Sequence, residues 1–194
     1  MLAEYALKLV TAPSAEPITL TEAKANLRVD FATDDTLITS LIASARRSVE
    51  LFLRRQLVTA TWDLFLDDWP PEDIIHVPLP PLQSVTSVAY VDTAGNPQTW
   101  TASNYRVDVN WEPGRIEPAY GVAWPGIRKI VGTIAVRFVA GYGAAATVPD
   151  DIKSAIYLLL ADLYEHREKQ AETALSLNST YRDLLWPRRA LLVA

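Results

Sequence analysis

The side chains that could carry acid–base or metal chemistry are few in this chain and poorly grouped. There are two histidines, His76 and His166, and no cysteine. The missing cysteines exclude a thiolate nucleophile, a disulfide scaffold and any cysteine-ligated zinc or iron–sulfur site. His76 has no acidic partner nearby in sequence, and His166 lies near a helix C-terminus, where the helix dipole favours a cation. We therefore expect both histidines to be surface or packing residues.

Carboxylates occur as four adjacent pairs, and such pairs could flank a scissile bond in a hydrolase. The pairs are Asp34-Asp35, Asp67-Asp68, Glu72-Asp73 and Asp150-Asp151. Two begin predicted helices and the others lie in a proline-rich loop, so capping and solubility account for them. A hydrolase would need Asp67 or Asp68 to face a second acid across a cleft. No G-x-S-x-G motif is present, and Gly141-Tyr142-Gly143 precedes an alanine run rather than a phosphate loop. We predict no enzyme, cofactor or metal site.

Glycine and proline divide the chain into three parts. Every glycine lies between Gly95 and Gly143, and nine of the thirteen prolines lie between Pro70 and Pro125. Residues 19–57 and 149–178 have no glycine, and Pro149 is their single proline. Because both residues interrupt regular elements, we predict an α+β fold: a small helical bundle with an inserted antiparallel β subdomain. The predicted parts are an N-terminal helical part (1–57), the β subdomain (58–143), a C-terminal helix (144–180) and a tail (181–194).

Three helices are predicted from capping signals and apolar spacing. Thr19 and Glu22 have the spacing of a capping box, which predicts a short helix to about Arg28. A second helix, from about Asp35 to Arg54, has one apolar stripe at helical spacing: Leu37, Ile38, Leu41, Ile42, Ala45, Val49 and Phe52. A third begins at Pro149 and runs to about Lys169, followed by a polar stretch over 170–180 that is read as a linker or a frayed helix. It has two apolar stripes, so we expect it to be covered on two sides. They are Ile152, Ile156, Leu159 and Leu163 in one and Tyr157, Leu160 and Tyr164 in the other.

The central block is predicted to form six strands, because its apolar residues alternate or are β-branched. The strands are 59–67, 74–77, 84–92, 98–101, 105–109 and 133–139, with 113–121 read as a loop. Five of the six tryptophans lie in this block: Trp62, Trp69, Trp100, Trp111 and Trp124. Trp62 fits an inward-facing position. The cluster leaves a carbohydrate-binding β module on a helical stalk as an alternative function, which Trp111 and Trp124 would test.

Charge and hydropathy limit the possible partners. The formal net charge is −5, and the basic residues form only short pairs such as Arg46-Arg47, Arg54-Arg55 and Arg188-Arg189. A protein that binds DNA tightly normally has a basic face, so tight binding is not expected. The N-terminus lacks the pattern of a signal peptide, and no apolar run approaches the ~20 residues of a membrane span. We expect a soluble protein of intracellular origin, without a membrane partner.

The order of several segments resembles the head–tail connector (adaptor, or head-completion) proteins of tailed double-stranded-DNA phages, prophages and gene transfer agents. The longer, β-inserted branch of this family fits, and the resemblance covers nearly the whole chain. The segments are 17–30, 34–46, 80–85, 105–108, 113–116, 140–143, 148–156, 163–167 and 184–189. One departure is Leu53-Arg54-Arg55, where the family pattern leads us to expect a Thr-Gly-Arg-like end to the second helix.

This resemblance implies a structural protomer with no active site. Copies would assemble into a ring, generally twelvefold, under the portal protein in the neck of the particle, after synthesis in the host cytoplasm. The ring would continue the DNA channel, and the stopper or tail-completion protein would bind to it. A channel of net negative charge would let DNA pass without sticking, because phosphates are repelled. A carbohydrate-binding module of a phage tail or surface accessory protein remains the alternative.

Apolar residues that have no predicted packing partner within the protomer indicate where other proteins bind. The tail is too apolar for a solvated terminus, although Pro187, Arg188 and Arg189 interrupt it. We expect Tyr181–Ala194 to dock on a neighbouring subunit or on the portal, with folding back onto its own protomer as the alternative. We expect the second stripe of the third helix to pack between protomers. The interface residues are then Tyr157, Leu160, Tyr164, Tyr181, Leu184, Leu185, Trp186, Arg188, Arg189, Leu191 and Leu192.

Overall fold

The computed structural model describes residues 5–165 and 179–190 of the chain. Its elements in chain order are β1 (Tyr5–Thr11), α1 (Leu20–Leu27), α2 (Asp35–Leu53), β2 (Ala60–Leu66), β3 (Ile75–Val77), β4 (Leu82–Val91), β5 (Pro97–Trp100), β6 (Tyr105–Asp108), β7 (Gly114–Pro118), β8 (Ile134–Ala140), α3 (Asp150–Glu165) and α4 (Ser179–Leu185). The described residues form a helical unit (14–58, 143–165 and 179–189) and a β unit (5–13, 59–142 and 190). Helices and antiparallel sheets coexist, so the predicted α+β class is confirmed. None of the described helices is long and apolar enough to span a bilayer.

The helices of the helical unit begin and end where local chemistry dictates. The capping box of α1 is present: the Glu22 amide donates to Thr19 Oγ1 at 3.2 Å, and the Thr19 amide donates to Glu22 Oε2 at 2.7 Å. These hydrogen bonds to Thr19 lower the pKa of Glu22. Both α1 and α2 end at an arginine in the left-handed region, Arg28 with φ 58° and Arg54 with φ 55°. Arg54 is thus in the conformation that glycine adopts most easily, at the point where the sequence departs from the family pattern.

The core of the helical unit includes part of the predicted apolar stripes, together with Leu53 and Ala155, which were not in them. In α2 the buried aliphatic residues are Ile38, Ile42, Ala45, Val49 and Leu53. In α3 they are Ile152, Ala155, Ile156, Leu159 and Leu160. The helix α3 packs against α1, α2 and α4. Cover on more than one side of α3 was expected from its two stripes, but α4 was not predicted as a helix. Residues 166–169, the predicted end of the third helix, lie outside the described residues.

A buried polar network fixes the start of this unit to the end of α2. Arg46 is 8% exposed and pairs with Glu16 through Nε and with Glu50 through Nη1, each at 2.6 Å. Glu50 also accepts hydrogen bonds from Gln56 Nε2 at 2.8 Å and from the Leu57 amide at 3.0 Å. Desolvation by burial raises the pKa of Glu50, and the neighbouring arginine opposes that rise. The network therefore ties three segments together at the cost of burying two charges.

The β unit contains two antiparallel sheets that share one apolar core. The five-stranded sheet has the order β1-β2-β8-β4-β5, and the three-stranded sheet has the order β3-β7-β6. In the first, Trp62, Leu64 and Leu66 of β2 lie opposite Phe138, Val136 and Ile134 of β8. The second sheet contributes buried residues to the same cluster. The inward-facing position predicted for Trp62 is thus confirmed, because Trp62 packs against this core.

Two strands were not predicted. Residues 113–121 were read as a loop, yet Gly114–Pro118 forms β7, the central strand of the smaller sheet. Glycine is required at position 114 because a Cβ there would lie 2.4 Å from Leu82 Cδ2. The first strand, β1, was missed because apolar residues occupy both faces of the Tyr5–Thr11 segment. The N-terminal part (1–57) was expected to be helical, but its described residues 5–13 lie in the β unit.

Candidate partner interface

Aromatic side chains cluster where α2 meets the C-terminal segment of the helical unit. Phe52, near the end of α2, has its ring centroid 6.4 Å from those of both Tyr181 and Trp186. Pro187 lies in the 3₁₀ turn Trp186–Arg188 that follows α4, and this turn redirects the chain. Tyr181 is buried, whereas Trp186 is 63% exposed. One side of the cluster thus belongs to the protomer's core and the other faces outward.

Arginines surround this aromatic cluster. The guanidinium of Arg189 lies 5.4 Å from the ring centroids of Phe52 and of Trp186, and that of Arg182 lies 5.8 Å from Phe52. The Nε of Arg189 is buried and has no hydrogen-bond partner. Arg188 forms an ion pair with Asp151 at the start of α3. Exposed tryptophan flanked by arginine is the composition of many interface hot spots.

The structure separates the predicted tail residues into two groups. Tyr181 and Leu185 are buried in the protomer's own helical unit, as the folding-back alternative expected. Leu184 and Trp186 are exposed, together with the side chain of Arg188, while Arg189 is half-buried. Leu191 and Leu192 lie outside the described residues. The surface open to a partner is therefore smaller than the predicted one.

The second stripe of α3 is also mostly covered. Leu160 is fully buried. Tyr157 is half-buried, and burial raises its pKa. Tyr164 is half-buried and donates its hydroxyl to Asp34 Oδ2 at 2.6 Å. Leu160 therefore has no side-chain surface left for another subunit in this conformation.

The predicted interface left out three exposed apolar residues of the described part of the helical unit: Phe31, Leu51 and Leu158. Leu51 is 80% exposed on the last turn of α2 and was not part of the predicted interface. The available signal was its position outside the predicted apolar stripe, directly before Phe52. A large aliphatic side chain on the polar side of a helix is a weak sign of a partner, because single exposed leucines are common.

Several of the side chains considered for chemistry form ion pairs or hydrogen bonds within the chain. Asp35 pairs with Lys24 at 2.6 Å, Asp67 accepts the Gly132 amide at 2.6 Å, and Asp68 lies 3.4 Å from Lys129. His76 lies in β3, where burial lowers its pKa and its Nδ1 has no partner. His166 lies outside the described residues. Within residues 5–165 and 179–190, no three histidine or acidic side chains are grouped so as to hold a metal.

The tryptophans of the β unit mostly stack on one another. The rings of Trp69 and Trp124 are nearly parallel at 4.3 Å, and Trp100 lies 4.7 Å from Trp124. Trp69 Nε1 donates to the Pro125 carbonyl at 2.8 Å. Trp111 is exposed, and the guanidinium of Arg115 lies 4.6 Å from its ring centroid. One face of Trp124 is thus covered by Trp69.

Sequence and structure comparisons agree on the kind of protein. Residues 17–109 match the model of the phage gp6-like head-tail connector protein family. No curated protein matches the chain in sequence. A chain from the neck of an empty gene transfer agent (GTA) particle, computed with C6 symmetry, is 27% identical with a TM-score of 0.81. Chains from the virion of a native GTA particle and from its neck, computed with C12 symmetry, are each 26% identical with TM-scores of 0.80 and 0.79.

In each of the three structural matches, 97% of this chain aligns with 97% of the other. The likeness therefore includes both the helical unit and the β unit, beyond the segment that the family model matches. The chain whose motif order suggested a connector therefore has the same fold as a protein of the GTA particle. The match of residues 17–109 and the structural matches together support a structural head–tail connector role for this chain.

Proposed function

We propose that copies of this chain form a ring beneath the portal protein in the neck of a phage or phage-like particle. The ring continues the DNA channel and receives the stopper or tail-completion protein. The observation that carries this proposal is the match, over 97% of both chains, to a neck protein in a particle computed with C12 symmetry. Rotational symmetry places copies of that protein side by side, as a ring requires.

The exposed part of the aromatic and arginine cluster is the surface proposed to dock on a neighbouring subunit or on the portal. It consists of Leu51, Leu184 and Trp186, with Arg182 and Arg188 beside them, all exposed. Arginine and tryptophan contribute strongly when a partner excludes water from them. Tyr181 and Leu185 act indirectly, because their burial holds the exposed residues in place.

The channel is proposed to be inert toward DNA. The chain has a net charge of −5, so a ring of many copies is strongly acidic overall. Favourable binding to DNA comes mainly from phosphate contacts with lysine and arginine. An acidic ring supplies few such contacts, and the DNA can therefore slide. The role is structural, with no reaction assigned to any residue, and assembly takes place in the host cytoplasm.

The proposal is tested by measuring the mass of the full chain alone and with its portal protein. A ring adds a fixed multiple of the 21.5 kDa protomer to the portal complex. Trp186→Ala is expected to weaken this assembly without unfolding the protomer, because the Trp186 side chain is 63% exposed. Tyr120→Ala is the matched control, since Tyr120 is a fully exposed aromatic residue of the β unit. Portal that binds no multiple copies of the chain would contradict the proposal.

Deletion of residues 181–194 is a less specific test of this docking surface. It removes Tyr181 and Leu185, which are buried in the helical unit. Loss of two such side chains costs about 3–5 kcal/mol each, so failure to assemble would not distinguish unfolding from a lost interface. Leu184→Asp, at an exposed position of α4, is the better companion to Trp186→Ala.

A further inference from the structure

The core-facing row of the five-stranded sheet continues onto β1 and is covered only in part there, since Leu7 packs against the core and its neighbours in the row are exposed. Leu66 and Leu64 of β2 are buried, and their cross-strand partners on β1 are Tyr5 and Leu7. Tyr5 is 44% exposed, and Leu9, the next residue of this row, is 43% exposed. This apolar row therefore extends beyond the residues that the core covers.

The three-stranded sheet ends in the same way at β6. Ile75 of β3 lies opposite Ile116 of β7, which lies opposite Val107 of β6. Ile75 and Ile116 are buried, whereas Val107 is 37% exposed. Exposed Val109 follows directly after the strand. The core-facing row of this sheet therefore also ends on an uncovered aliphatic side chain.

At the opposite edge of each sheet, the core-facing side chains are buried. On β5, Trp100 is buried and lies opposite Val88, and the strand begins with Pro97, which cannot donate to a further strand. On β3, both Ile75 and Val77 are buried. We call β5 and β3 the closed edges, because their core-facing side chains are buried, and β1 and β6 the open edges, because theirs are exposed at Tyr5, Leu9 and Val107.

The open edge of β1 lacks the usual protection against strand addition. Among the described strands, β1 has one neighbour, β2, so its other side presents unpaired backbone groups. Proteins normally guard such an edge with proline, several charges or a covering loop. In Tyr5–Thr11 there is no proline, and Lys8 is the single charged residue. An apolar depression lined by Tyr5, Phe65 and Val131 lies beside its start.

We propose that the β1 edge of one copy of this chain pairs with the β6 edge of the next copy around the ring. This inference rests on the proposed ring. A rotational ring needs two different, complementary surfaces on every copy, because its contacts are heterologous. The β1 and β6 edges, each with exposed apolar side chains in its core-facing row, meet that requirement. Strand addition supplies the backbone hydrogen bonds between β1 and β6, and the exposed core-facing side chains of the two strands cover each other.

The chain has no cysteine, which makes a cross-linking test clean. The double variant Leu9→Cys/Val107→Cys is assembled with the portal protein and treated with a short bismaleimide. We expect a ladder of covalent oligomers, up to the closed ring, on a denaturing gel. Each single variant is expected to run as a monomer on the gel, because its one cysteine faces a surface of the neighbour that has no cysteine. Both residues are partly exposed, so the substitutions leave the core intact.

The outcomes separate this inference from the proposed function. A ring that forms but gives no ladder from the double variant overturns the edge pairing and leaves the ring in place. A dimer from either single variant also overturns it, since that result means that two like edges meet. If no ring forms at all, both the edge pairing and the proposed function are overturned. As a second measurement, Leu9→Lys should reduce the ring fraction strongly, whereas Gln98→Lys on the closed β5 edge should not.

Discussion

Arg46 holds together the buried network of the helical unit, and replacing it with methionine measures what the network contributes. Methionine keeps most of the length and apolar volume of the stem but removes the charge. The side chain of Glu16 is about a third exposed, so its lost pairing should cost about 0.5 kcal/mol. The side chain of Glu50 is 14% exposed and would be left as a buried charge without a cation, which costs about 3 kcal/mol. Arg46→Met should therefore destabilise the helical unit by about 3–4 kcal/mol.

The penalty should depend on pH in a defined direction. Burial already raises the pKa of Glu50, and loss of the neighbouring guanidinium raises it further. A carboxyl whose pKa is raised by folding contributes stability that is fully present below its unfolded pKa, near 4, and is lost as the pH rises through the folded pKa. The variant should therefore lose most stability at pH 7 and clearly less at pH 4.

The assay is urea unfolding followed through the helical circular dichroism signal, at pH 4 and at pH 7. Arg47→Met is the matched control, because Arg47 is the adjacent, exposed residue of α2 and should change stability by about 0.5 kcal/mol or less. A loss below about 1 kcal/mol for Arg46→Met at pH 7, or an equal loss at both pH values, would refute the reasoning. Either result would mean that water solvates Glu50 in the folded protein.

Three further substitutions test individual features. Arg137 donates to both carboxylate oxygens of Asp63, at 2.8 and 2.9 Å, and lowers the pKa of Asp63, so Asp63→Asn should cost about 0.5–1 kcal/mol at pH 7 in urea unfolding. That contribution is present above the unfolded pKa near 4 and disappears as the pH falls through the folded pKa. Arg54→Gly relieves a left-handed arginine and should raise stability by about 0.5–1 kcal/mol by thermal unfolding; a decrease would contradict this. Gly114→Ala should destabilise the β unit by about 1–3 kcal/mol because its Cβ meets Leu82, and an unchanged melting temperature would show that Leu82 moves freely.

Features governed by local chemistry could be predicted from the sequence. The capping box needs only Thr19 and Glu22 three residues apart, and it forms as expected. The long helix α2 was predicted because one face of it is consistently apolar. The connector role was also suggested by the order of short motifs, which the family match and the structural matches support.

Features that depend on distant residues could not be predicted. The strand β7 contains glycine and proline and forms because β3 and β6 pair with it on either side. The strand β1 has apolar residues on both faces, so its alternation carries no signal. In the tail, Tyr181 and Leu185 have the same apolar character as Leu184 and Trp186, and packing against the helical unit decides which are buried. The choice between core and partner surface therefore required the fold.

The most direct test of the connector role is deletion of the gene, followed by electron microscopy of the particles. The account predicts DNA-filled heads and free tails that do not join, with joining restored when the intact chain is supplied in trans. Complete particles with heads attached to tails, formed at normal yield without the protein, would contradict the account.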